Sequence, residues 1–144
     1  MSTRRETRAL SVTDARRHLG QANEFLEAAE TDLRARRLNA AAGNAAVAVI
    51  NAADAVSGLR LGTRWTGPHE LAGKHVAQAG NEGKQLERAL QRAIPFKNRA
   101  RYDPAPVSAA KARGLVDTAR RAVATANQVA AGAAGSASVN CSPG

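Results

Sequence analysis

The chain has 144 residues, a formal net charge of +9, one cysteine and 3% aromatic residues. That length supports one domain with its own core. One cysteine excludes a disulfide framework and a cysteine-rich zinc module, and the scarcity of aromatics argues against a stacking platform for single strands.

Alanine, the best helix former, supplies 34 residues, while Val, Ile, Tyr, Phe and Trp are sparse. An all-α fold without strands is therefore expected. Residues 1–10 read as a basic disordered tail carrying Arg4, Arg5 and Arg8. They lack the apolar stretch of a signal peptide. No 18-residue apolar run predicts a membrane span, so the cytoplasm is the expected compartment. The domain is expected at 11–131.

A first helix is placed at 13–36, with Ser11 or Thr13 as its cap and Asp14 in its first turn. Ala15, Leu19, Ala22, Leu26, Ala29 and Leu33 form one apolar stripe. Glu30–Arg34 and Asp32–Arg36 have the spacing of helical ion pairs, and His18 is expected to pair with Asp14 on the surface. A second helix spans 39–60, capped by Asn39 and fraying at Gly58 and Gly62. Its many alanines and low charge make it the central helix, and also the expected surface of a homodimer.

Residues 61–68 read as a loop, followed by a short third helix at 68–79 that opens on Pro68. A fourth helix covers 81–95, where Pro95 ends or kinks it. Leu86, Leu90 and Ile94 face inward, and Lys84, Arg88 and Arg92 form a basic ridge on the opposite side. An extended connector at 96–107 leads to a last helix at 108–131, capped by Ser108. Residues 132–144 read as a disordered Ala/Gly/Ser tail. The whole is an up-and-down bundle of four or five helices.

The densest chemistry lies at 97–103, Lys97-Asn98-Arg99-Ala100-Arg101-Tyr102-Asp103, just before the last helix. Cations and amides there suit phosphate oxygens, and Tyr102 can stack on a base. The structural alternative is that Tyr102 plugs the bundle end while the arginines stay solvated. Between Gly58 and Arg101 there are nine Lys/Arg against three Glu, which favours polyanions but is also compatible with plain solvation.

A helical bundle with a polar Asn-Arg-x-x-Tyr element before its last helix resembles the HEPN superfamily. The resemblance also includes the opening pattern of the first helix, the Ala-rich second helix and His69, and it covers roughly residues 13–130. It implies a dimeric up-and-down bundle. Many members of the family are metal-independent ribonucleases with an Arg-x(4–6)-His motif at the start of the final helix, and some are toxins paired with a nucleotidyltransferase-like antitoxin. Here that place reads Lys97-Asn98 and then Arg101-Tyr102. Arginine cannot act as a base, so the resemblance implies a non-catalytic module that binds RNA, a nucleotide or a protein partner. Two alternatives remain: an endoribonuclease in which Arg99 or Arg101 stabilises the phosphorane, and a purely structural partner subunit.

Arg64-Trp65-Thr66-Gly67-Pro68-His69 fits Arg-x4-His literally, but before the third helix. A chain with 17 Arg and 3 His gives about one such match by chance. The bland reading puts His69 in a first helical turn and Arg64 in a solvated loop. His69, Glu70 and His75 lack metal-ligand spacing, so no metal or other cofactor is expected. Cys141 has no nearby His and is not read as a nucleophile.

Overall fold

The computed structural model describes residues 6–97 and 105–141, with side chains up to residue 133. The elements, in chain order, are β1 (Thr7–Ala9), α1 (Val12–Arg34), α2 (Leu38–Leu61), β2 (Thr63–Trp65), α3 (Ala72–Val76), α4 (Asn81–Lys97) and α5 (Ala109–Cys141). Single 3-10 turns, His69–Leu71 and Ala77–Ala79, flank α3. The fold is an all-α bundle with one very small sheet.

Ser11 caps α1, its Oγ accepting the Asp14 backbone N–H at 3.0 Å. Ala15, Ala22 and Ala29 are fully buried at seven-residue spacing, and Leu19, Leu26 and Leu33 pack beside them. The expected stripe therefore faces the core. The helix ends where Arg36 takes a positive φ of 61°. Asp32 organises this turn, accepting from Arg37 Nε at 2.9 Å and Asn44 Nδ2 at 2.8 Å. The expected Asp32–Arg36 and Glu30–Arg34 pairs are thus replaced, since Glu30 binds Arg120 Nε at 2.7 Å. Partners on neighbouring elements outcompete those on the same helix.

α2 is the central helix and touches α1, α4 and α5. By length and hydropathy it could reach across a bilayer, which the sequence reading did not foresee. Here 67% of its most apolar window is buried against the rest of the chain. That burial spends most of its alanines on the core. Asn39 does not cap α2. Arg37 is at the cap, and Asn39 Oδ1 instead accepts the Val107 backbone N–H at 2.8 Å. Gly58 lies within the helix, and Gly62 closes it in the left-handed conformation with φ 70°.

Strands were not expected, yet residues 7–9 pair antiparallel with 63–65, Arg8 opposite Arg64. The Leu10 N–H to Gly62 carbonyl bond, 2.9 Å, extends the pairing. Part of the expected tail is therefore ordered by the expected loop. α4 runs through Pro95 to Lys97. A proline in the last turn forfeits one backbone bond, which a helix end tolerates better than its middle. Ser108 caps α5 through Lys111 N–H at 3.1 Å. The helix continues to Cys141, past the expected end at 131.

Candidate functional site

Two neighbourhoods gather the residues singled out in the sequence. The first lies at the bundle end beneath the small sheet. Lys97 at the end of α4 donates to His69 Nδ1 at 2.5 Å. This joins the 97–103 element to the Arg64–His69 match, which the sequence treated as competitors. Burial lowers the proton affinity of His69, Lys97 and Arg64 lower it further, and Glu70 opposes them. Arg64 Nε is 3.7 Å from Asp54 Oδ2, so Arg64 is not simply solvated.

His18 does not pair with Asp14, which binds Arg17 at 3.0 Å. Its Nδ1 instead donates to Asn51 Oδ1 at 2.9 Å and lies 3.9 Å from Asp54. Burial pushes the Asp54 carboxyl up to about 6, against the opposing pull of His18 and Arg64. His75 meets Thr63 Oγ1 at 3.0 Å, and its ring lies 6.0 Å from that of Trp65. Burial lowers its proton affinity, and a hydrogen bond to the Thr63 backbone opposes the shift. The cluster can hold His69 neutral beside two cations, with its Nδ1 engaged by Lys97. Asn98, Arg99, Arg101 and Tyr102 lie outside the described residues.

The second neighbourhood is a groove between α4 and α5. Arg88 and Arg92 come from α4, and Arg121 comes from α5. Gln85 and Thr125 meet at 3.1 Å across one end of it. The volume between them is about 270 Å³. Lys84 lies one turn before Arg88 on α4 and is exposed, as are Arg88 and Arg92. Among the described residues no carboxylate pairs with Arg88, Arg92 or Arg121. Two members of the basic ridge read from the sequence, Arg88 and Arg92, therefore form one wall of a groove, and Lys84 lies outside its lining.

Sequence reasoning missed Arg121, Lys111, Asp54 and Asn51. The only signal for Asp54 was a lone carboxylate in an alanine-rich helix. Arg121 was indistinguishable from Arg113 and Arg120 without knowing where α4 packs.

A HEPN domain model matches residues 15–130. The chain belongs to the HEPN family. No curated protein and no solved structure matches it. The match begins at the first buried alanine of α1 and ends at Ala130 of α5. It therefore encloses both neighbourhoods of this HEPN domain.

Proposed function

We propose that this HEPN domain is a non-catalytic module that binds RNA through phosphates laid along the α4–α5 groove. One observation carries the reading. Arg88, Arg92 and Arg121 converge on one groove with no carboxylate partner among the described residues. Unneutralised guanidinium groups attract phosphates and release their counterions. The absence of His from 96–103 supports the non-catalytic half of the reading.

A second reading, a metal-independent endoribonuclease, is favoured by His69. Its lowered proton affinity keeps it in the form a base needs. Both readings meet one experiment, in which total RNA is incubated with the protein in EDTA. Intact RNA with a salt-sensitive mobility shift is expected. Each of Arg88→Ala, Arg92→Ala and Arg121→Ala should weaken binding and reduce the salt slope by about 0.7. Cleavage that survives EDTA and vanishes in His69→Gln would instead establish the nuclease. No shift and no cleavage would leave the structural-subunit reading. A nucleotidyltransferase-like partner and a homodimer rest on the family resemblance alone.

A further inference from the structure

The groove is not uniform along its length. Past Arg92 and Arg121 it widens into a depression of about 610 Å³ walled by Phe96, Ala110 and Leu115. Gly114, exposed and well inside α5, lies on its lining. A Cβ built at Gly114 would meet nothing within 4 Å, so internal packing does not demand a glycine. Helix formation does not demand it either, since only proline is worse in a helix interior. What the glycine supplies is bare backbone, open to the close approach of a flat group.

The charges around this spot fit the same ligand. Arg92 and Arg121 border both the narrow and the wide part of the groove. Lys111 sits 5.6 Å from the centre of the Phe96 ring. Asp117 also lines the depression, but its carboxylate is held by Arg120 at 2.7 Å. A half-apolar recess flanked by arginines with no carboxylate partner among the described residues offers a wall and guanidinium planes to a nucleobase, with anchors for the phosphates on either side. Its volume lies in the range of small-ligand sites.

We propose that the Gly114 depression receives one unpaired base of an RNA strand whose phosphates lie on Arg88, Arg92 and Arg121. This rests on the RNA reading above and adds a preference for single strands. A paired base is stacked inside its duplex and cannot enter. One recess differs from the aromatic run of a stacking platform, which this chain lacks.

The test uses the full chain and Gly114→Leu. The leucine occupies the depression and favours the helix, and circular dichroism checks that the fold is kept. Three probes are titrated at one salt concentration: a short single-stranded RNA, the same sequence as a duplex, and an abasic single strand. Gly114→Leu is expected to weaken the single strand about tenfold and to leave the duplex unchanged. The abasic strand should bind both proteins equally. Unchanged single-strand binding in Gly114→Leu, or an equal loss on strand and duplex, overturns the base site while the RNA reading stands. Failure of the parent chain to bind any probe overturns both.

Discussion

Asp54 shows how one side chain can carry a solution property of the whole chain. Its side chain is 15% exposed, and burial holds its proton up to about pH 6. In the unfolded chain an aspartate loses that proton near pH 3.9. Between these values the folded state binds more protons, so this group's contribution to stability falls as pH rises through that window and stays low above it. Asp54→Asn mimics the neutral carboxyl. It should gain on the parent as pH rises from 4 to 7, by no more than about 3 kcal/mol. That figure is an upper bound, because the variant also leaves His18 and Arg64 without their shared anion. Denaturant melts of both proteins at the two pH values check it, and a pH-independent difference would refute it. None of this was legible in the sequence. Periodicity tells which face of α1 holds His18, but not that Asn51, 33 residues away, stands at the same level. Asp14 was the nearest acid along the chain and the wrong partner.

At the level of elements, three glycines separate close packing from open space. A Cβ at Gly83 would fall 2.0 Å from the Val76 carbonyl oxygen, and backbone cannot yield cheaply. At Gly58 it would fall 2.7 Å from both the Ala15 Cβ and Leu10 Cδ2. At Gly114 it meets nothing. Gly83→Ala should therefore destabilise by roughly 1–3 kcal/mol or more, and Gly58→Ala by somewhat less, because Leu10 can swing away and only α1, through the Ala15 Cβ, must shift. Gly114→Ala should stabilise by up to about 1 kcal/mol, the ordinary helix-propensity gain. Thermal melts of the three variants should rank in that order. The helices themselves were readable, because Ala and Leu recur at helical spacing along α1, α2, α4 and α5. The strands were not. Thr7–Ala9 and Thr63–Trp65 are too short to display a period of two, and only their pairing across the chain makes them strands. The ridge Lys84, Arg88, Arg92 was legible as a ridge, but its conversion into a groove needed the position of α5.

For the molecule as a whole, alanine sets the packing. A core built mainly of alanine and valine leaves few large side chains to separate the helices, and α2 is enclosed on several sides. The all-α bundle followed from composition; which residues would face one another did not. The sheet adds something that the helices do not have. It orders the short segment before α1, at an entropy cost that few contacts there repay. The strands are only partly buried, so this clasp should open before the bundle melts. Amide hydrogen exchange should accordingly be faster at Thr7–Ala9 and Thr63–Trp65 than along α2. Opening carries Arg64 away from Asp54, but it also lets water reach that carboxyl, and burial is the larger cause of its raised proton affinity. By linkage, the lower proton affinity of the open form makes acid favour closure. The clasp is thus a proton-held latch: acid keeps it shut, and it loosens as pH rises through about 6, while the helices beneath it stay closed.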